Sequence, residues 1–358
     1  MSTAEIEVTG AITERLFGAL LGALELATVH LGVRLGLYDA LATPRTAAGL
    51  ALETGIDDRY AAEWLEQQAI CGLVSVVQQG DRGTRVYGLD AEQSLSFGDA
   101  ESPAYAGSMA LLMGGVGRVL EQLPEVYRTG GGIPFGGYGD DVRAGQGLFN
   151  RAGFLGQLTQ EWLPAIAGVG DLLSRPGARA LDVGCGVGWS SIALATAYPG
   201  LSVLGVDSDD ASVMDARRNA AGAGLGDRVR FEVADAAALP TSDEYDVVFY
   251  FEALHDLPQP VQSLAAVRSA LRPGGAVVVV DERAEEEFAP GGSEVERLLA
   301  TSSVLHCLPV GRSQPGSEGT GALFRPSVMR EYAARAGYAS VEEAPVTHDL
   351  FRFFVVRP

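Results

Sequence analysis

Leu181-Asp182-Val183-Gly184-Cys185-Gly186-Val187-Gly188-Trp189 closes one apolar run and opens another of different period. Residues 180–183 read as a strand and residues 189–197 as a helix, so the glycines fall at the turn between them as G-x-G-x-G. Glycine suits that turn because the chain bends sharply and a ligand must approach the backbone closely. Working outward, further strands are expected at 202–206, 229–233, 246–251, 276–280 and 350–356, with helices at 210–223, 260–271 and 326–336. Such alternation predicts a parallel, doubly wound α/β sheet. The second strand runs into Asp207, nineteen residues after Gly188, where an acid can accept both hydroxyls of a ribose. Alone, loop and acid fit any nucleoside-containing ligand.

Two residues narrow that class. A dinucleotide fingerprint, G-x-G-x-x-G, would place its third glycine where Trp189 stands, and an indole there crowds a pyrophosphate at the helix N-terminus. Asp182 sets a carboxylate beside the ligand, unfavourable for a pyrophosphate and favourable for an ammonium or a sulfonium.

With these residues in place, 182–188 resembles motif I of the class I S-adenosylmethionine-dependent methyltransferases. The resemblance continues in order through Asp207, Ala234-Asp235-Ala236, the stretch from Tyr245 to Leu257, and Leu271-Arg-Pro-Gly-Gly275, covering about residues 155–358. It implies that S-adenosylmethionine is the cofactor. Gly184, Cys185, Gly186 and Gly188 would meet its methionine moiety, and Asp182 its ammonium. Asp207 and Ser208 would hold the ribose, Asp235 and Ala236 would read the adenine, and Phe251 and Glu252 would line the cofactor side of the cleft.

Methyl transfer to a phenol or alcohol needs a proton acceptor. His255 follows the fourth strand, at the mouth of the sheet, in a Leu-His-Asp context similar to the catalytic histidine of plant-type O-methyltransferases. The family usually carries an aromatic where Leu257 stands. Asp281 or Glu282 is the expected carboxylate partner, and Asp256, adjacent in sequence, is expected to point elsewhere. Tyr138 and His306 are candidates to line a substrate pocket, with Cys307 and His348 behind them. Cys185 reads as a small filler rather than a nucleophile. No aspartate–aspartate–asparagine set supports a catechol-type metal mechanism, so no metal is expected.

The front of the chain differs. Residues 11–41 are apolar almost all round, which predicts helices buried on more than one face, in the core or in a dimer interface. A helix after Thr46, a second from Asp57 to Cys71 with Gly72 beyond it, and two short strands at 73–78 and 85–89 make a winged-helix outline. It resembles the dimerising domain of plant-type small-molecule O-methyltransferases and actinobacterial relatives. Residues 1–90 hold 12 acids and 6 arginines, and a DNA reader needs a positive face. The whole chain, 358 residues at a net charge of −20 with arginine as its sole strong base, disfavours nucleic acid and anionic membranes and excludes lysine-based chemistry. Three scattered cysteines make no disulfide framework or zinc motif, and the apolar run 16–24 is short for a membrane span.

The reading is therefore an α/β, Rossmann-like methyltransferase sheet behind a mainly helical, winged-helix domain. Residues 1–92 form the dimerisation domain, 93–160 a helical linker and substrate cap that includes the glycine-rich stretch 129–141, and 161–358 the S-adenosylmethionine-binding domain with an insertion at 282–324. The expected protein is a cytoplasmic homodimer that methylates an oxygen of a small molecule. Nitrogen or carbon acceptors, a non-catalytic winged-helix regulator and a nicotinamide-dependent oxidoreductase are the alternatives.

Overall fold

The computed structural model describes residues 3–239 and 244–358, the side chains of 3–9 excepted. The chain divides into two compact units, one made of residues up to Gly117 together with Ala144–Phe149, the other of Arg118–Arg143 together with Asn150–Pro358.

The first unit opens with a long helix, α1 (Thr3–Arg34). Two shorter helices follow, Ala47–Thr54 and Asp58–Ile70, then an antiparallel pair, β1 (Ser75–Gln78) and β2 (Val86–Gly88). Local chemistry sets these bounds. The Asp57 side chain accepts from the Arg59 and Tyr60 amides at the start of the second short helix, and Gly55 and Gly72 turn the chain at φ 72° and 75° after each helix. Leu37, Tyr38, Leu50, Leu65 and Tyr87 fill the core, where the Tyr38 hydroxyl donates to Gln68 Oε1 at 2.6 Å.

The expectation that the first helix is buried on several faces does not hold within one chain. Leu16, Phe17, Leu20 and Leu24 are each more than half exposed. The nine-residue estimate of the apolar run also needs correcting. Gly10–Arg34, 25 residues at a mean hydropathy of 1.7, is long and apolar enough by length and composition to cross a membrane. Glycines and a few polar residues, Glu14, Arg15, Glu25 and His30, interrupt the run without making it polar.

The second unit is built on a seven-stranded sheet. Its strands are β3 (Arg179–Val183), β4 (Ser202–Asp207), β5 (Val229–Val233), β6 (Tyr245–Phe251), β7 (Leu271–Glu282), β8 (Ser340–Glu343) and β9 (Phe351–Arg357). The order is β5-β4-β3-β6-β7-β9-β8. In β6 the side chains of Val247, Phe249 and Phe251 pack into one apolar layer and Val248 and Tyr250 into the other. A strand covered on both faces reads as a continuous apolar run, which is why the central strands stand out in the sequence.

The sheet is not wholly parallel, as the sequence led one to expect. β3 to β7 run parallel to one another, but β9 runs antiparallel to both β7 and β8. β8 passes unnoticed in the sequence because Ser-Val-Glu-Glu is a short edge strand with little apolar content. It forms a hairpin with β9, and that hairpin reverses β9. The helix expected at 260–271 ends at Ala270, and the strand starts at Leu271 with a register shift across Arg-Pro-Gly-Gly. The glycine-rich stretch is ordered: a short turn at Phe135–Tyr138 leads into a helix, Gly139–Gly153. The 282–324 insertion carries a helix at Glu294–Ser302 followed by turns at Ser303–Cys307 and Leu308–Gly311.

The order reverses at β3, so the switch point lies between β3 and β6, where open α/β sheets leave a crevice beyond their carboxyl ends. Gly184 holds this corner. Its φ is 71°, and a Cβ there would lie 2.4 Å from the Ala253 Cβ beyond β6. Gly184→Ala is expected to destabilise the protein by about 2–4 kcal/mol through left-handed strain and overpacking. Urea unfolding should show Ala253→Gly restoring the clash-dependent part in the double variant.

Candidate active site at the carboxyl ends of the strands

The carboxyl ends of β3, β4, β6 and β7 bring Asp182, Asp207, Glu252, His255, Asp281 and Glu282 to one edge of the sheet. The loop after β3 is tied to β4, since the amides of Gly184 and Cys185 both donate to the Val206 carbonyl. Asp207 then closes the loop from its other side. Its Oδ2 accepts from the Gly186 amide at 2.8 Å and its Oδ1 from the Asp209 amide at 2.9 Å. Burial nevertheless holds its carboxyl above the usual range.

Asp182 is fully buried. Its Oδ2 accepts from both Ser190 and Ser191 hydroxyls at 2.6 Å. Its Oδ1 is out of solvent with no hydrogen-bond partner among the described residues. Burial pushes this carboxyl up to about 6, against the two serine bonds. The serines escape notice in the sequence because they look like ordinary helix-start residues.

These features can be tested against a cofactor with an ammonium and a ribose. A buried carboxylate oxygen without a donor is a ready acceptor for an ammonium. Gly186, at φ 51°, has nothing within 4 Å of where a Cβ would be, so its face of the loop is open. Gly188, by contrast, packs against the Phe231 ring and Ala216. The residues present fit the group. Ser208 and Asp235 are exposed beside this face, and Asp235 caps the turn at Ala236–Ala238 through the Ala237 amide. Cys185 is buried in the core, where desolvation raises its thiol well above the ordinary value. Trp189 lies under the Arg151 guanidinium, 4.4 Å from ring centroid to Cζ.

At the end of β6, Phe251 stacks on Phe249 and meets Phe154 edge-on. Glu252 follows at φ 50°, the one non-glycine residue with positive φ among those described. Such a conformation costs about 1–3 kcal/mol and persists where surrounding structure enforces it. Here the Glu252 amide donates to the Val280 carbonyl of β7 at 2.7 Å. Its Oε1 is buried without a partner among the described residues, and burial raises the carboxyl well above its ordinary value. Glu282 is raised for the same reason.

His255 sits on the turn Leu254–Asp256 and is buried. Its Nδ1–H donates to Asp281 Oδ1 at 2.6 Å, so of the two expected partner carboxylates it is Asp281 that the fold supplies. Asp256 does not point elsewhere. Its Oδ1 lies 3.2 Å from His255 Nε2, because the tight turn curls one side chain back over its neighbour. Burial alone would depress the imidazole, but Asp281 and Asp256 reverse this and hold it well above its ordinary value.

The other candidates assemble beside this pair. The Tyr138 ring meets His306 edge-on at 4.5 Å, and the Tyr138 hydroxyl donates to the Leu305 carbonyl at 2.9 Å. His306 Nδ1 is 3.7 Å from Cys307 Sγ, and its Nε2 has no partner among the described residues. Burial depresses the His306 imidazole and pushes the Cys307 thiol up to about 12. His348 stands apart from this group, stacked on Phe351 and edge-on to Trp162.

Comparison with known proteins agrees with this geometry. A family model described as "Methyltransferase domain" matches residues 174–317. The ubiquinone biosynthesis O-methyltransferase of Bordetella avium is 33% identical over 181 residues, which is 50% of this chain and 68% of that protein. The 27-O-demethylrifamycin SV methyltransferase of Amycolatopsis mediterranei is 40% identical over 113 residues, 31% of this chain and 41% of that protein. The chain spans about two fifths of the length of the first curated relatives it matches. Among solved structures, the mitomycin 7-O-methyltransferase MmcR superposes with a TM-score of 0.74 at 22% identity, covering 98% of this chain and 99% of that one. Human N-acetylserotonin methyltransferase in complex with S-adenosylmethionine gives 0.68 at 19%, covering 96% of this chain and 97% of that one. Its sheet order, its glycine loop closed by Asp207 and the matched relatives place this chain in the S-adenosylmethionine-dependent methyltransferase family.

Proposed function

We propose that this protein transfers the methyl group of S-adenosylmethionine to an oxygen of a small, partly aromatic molecule, with His255 accepting the proton. The observation that carries this reading is the buried His255–Asp281 pair at the carboxyl ends of β6 and β7. When bound, the cofactor supplies an electrophilic methyl on a sulfonium. Asp182 accepts its ammonium, Asp207 and Ser208 its ribose hydroxyls, and Asp235 with the backbone at Ala236 its adenine. Gly184, Cys185, Gly186 and Gly188 form the loop against which the methionine part lies, and Phe251 and Glu252 bound the cleft. His255 removes the acceptor's proton at Nε2. Asp281 fixes the Nδ1–H tautomer and stabilises the imidazolium; Nε2, which faces Asp256 at 3.2 Å and is held protonated at rest, takes the acceptor's proton once its own has passed to solvent. Tyr138 and His306 wall the acceptor pocket. Aligning acceptor and methyl contributes several kcal/mol on its own.

His255→Ala should lower kcat by about 10²- to 10⁴-fold while leaving cofactor affinity unchanged within about threefold. Transfer of labelled methyl to a panel of phenols and hydroxylated compounds measures this. Near-full activity in the variant would move the acceptor to nitrogen or carbon, with positioning as the main contribution.

Asp182 makes cofactor binding depend on pH. Its carboxyl is raised to about 6, and an ammonium prefers the ionised form. The cofactor therefore binds best above that value, and its affinity falls towards tenfold per unit as the pH drops below it. Calorimetry between about pH 8 and about pH 5 should show the fall, and Asp182→Asn should flatten it. A flat profile in the unaltered protein would remove Asp182 from the ammonium site.

The helix–helix–hairpin of the first unit is read as winged-helix-like and dimerising rather than DNA-binding. The helix Asp58–Ile70 carries Asp58, Glu63 and Glu66 against Arg59 alone, which repels phosphate. The exposed apolar side of α1 is the surface offered to a second copy, in a cytoplasmic homodimer. Light scattering should give the mass of two chains, and Phe17→Glu with Leu20→Glu should lower it to one. Flotation of the unaltered protein with lipid vesicles would instead assign α1 to a bilayer.

A further inference from the structure

His255 also belongs to a second grouping. An imidazole nitrogen of His255, a carboxylate oxygen of Asp256 and Cys307 Sγ lie within 4.8 Å of one another, and His255 and Cys307 are both buried. Asp256 and His255 share one turn after β6, while Cys307 arrives on the turn Ser303–Cys307 of the 282–324 segment. Asp256 Oδ1 is out of solvent and faces Nε2 at 3.2 Å, with both His255 and the Cys307 thiol holding its carboxyl below the usual range. Asp256 helps hold the imidazole above its ordinary value, so at rest a proton lies between these two atoms, in the place a cation would take.

The donor types are an imidazole nitrogen, a carboxylate oxygen and a thiol sulfur, the set that a zinc-class cation takes in tetrahedral sites. Ligand atoms around such a cation lie about 3.3–3.7 Å apart, so this cluster needs only a small adjustment. The outer shell is also present, since Asp281 accepts the Nδ1–H of His255 and so aims the Nε2 lone pair at the cluster. The surroundings are rich in acid. Asp281 is buried beside His255, and the half-buried Glu252 and Glu282 both feel the His255 charge.

We propose that His255, Asp256 and Cys307 bind a divalent cation of the zinc class, with a fourth position left for water or an acceptor heteroatom. As the metal–sulfur and metal–nitrogen bonds form, the thiol proton and any proton on Nε2 pass to solvent, and nothing is oxidised or reduced. A cation there occupies the lone pair that His255 needs as a proton acceptor. Metal loading and proton acceptance therefore exclude each other, and the loaded protein withholds its base. That consequence rests on the transfer reading, whereas binding does not. No metal was expected from the sequence, which lacks an aspartate–aspartate–asparagine set; these three ligands follow no chelating motif, two being adjacent and the third fifty-one residues further on.

The test is a titration of the reduced, metal-free full chain with Co²⁺. The expected result is a single equivalent bound with tetrahedral visible absorption and a thiolate-to-cobalt band in the near-ultraviolet, both removed by Zn²⁺. Cys307→Ser should lose the thiolate band, Cys71→Ser should keep it, and Asp256→Asn should weaken Co²⁺ binding at least about tenfold. S-adenosylmethionine binding reports that each variant is folded. No thiolate band in protein that binds S-adenosylmethionine, or a band that survives in Cys307→Ser, overturns the proposal. A band in protein that binds no S-adenosylmethionine would sustain the metal site and sink the transfer reading instead.

Discussion

His255 is held out of water between two carboxylates, Asp281 on Nδ1 and Asp256 facing Nε2. Removing one member of a buried charged pair costs about 3–5 kcal/mol, because its partner is left without compensation. The fold must therefore bring both acids to the ring or do without it. It does so with three structural constraints. The end of β6 turns tightly enough to place Asp256 on its neighbour, β7 ends in register beside it to present Asp281, and the 282–324 segment closes the remaining side with Cys307 and His306.

The same economy governs the loop after β3. Asp207 spends both carboxylate oxygens on backbone amides, those of Gly186 and Asp209, so it serves the loop's shape before it meets any ligand. Asp182 does the reverse. Two serines hold one of its oxygens, and the other is left buried without a donor. An unsatisfied buried carboxylate oxygen costs about 1–3 kcal/mol or more, a cost that a bound cation relieves. Glu252 carries a comparable burden in its backbone, left-handed and tied to Val280. Destabilised groups gathered at one edge of an otherwise well-packed sheet mark where the molecule acts.

The edge of the sheet that carries His255 is acidic. Glu252, Glu282, Asp256 and Asp281 lie around His255, and burial raises Glu252 and Glu282 well above the ordinary range. A carboxyl held neutral donates a hydrogen bond, and one held ionised repels an anionic acceptor.

Much of this was legible in one dimension. The glycine loop, Asp182, Asp207 and the apolar runs of β3 to β7 follow from residue type and period, because a strand buried on both faces must be apolar throughout and a tight turn must be glycine. His255 was also legible, as a histidine after a strand end at the mouth of the sheet. What only the tertiary structure decided is which groups meet. The antiparallel β8–β9 edge comes from a hairpin whose first strand is too polar and short to announce itself. Ser190 and Ser191 become partners of Asp182 through the way their helix packs on β3. Asp281 rather than Glu282 reaches Nδ1 because strand side chains alternate, so of two adjacent acids only one faces the histidine. Cys307 and Asp256 stand fifty-one residues apart, and no local periodicity encodes that separation, so their meeting on one imidazole is a property of the closed fold alone.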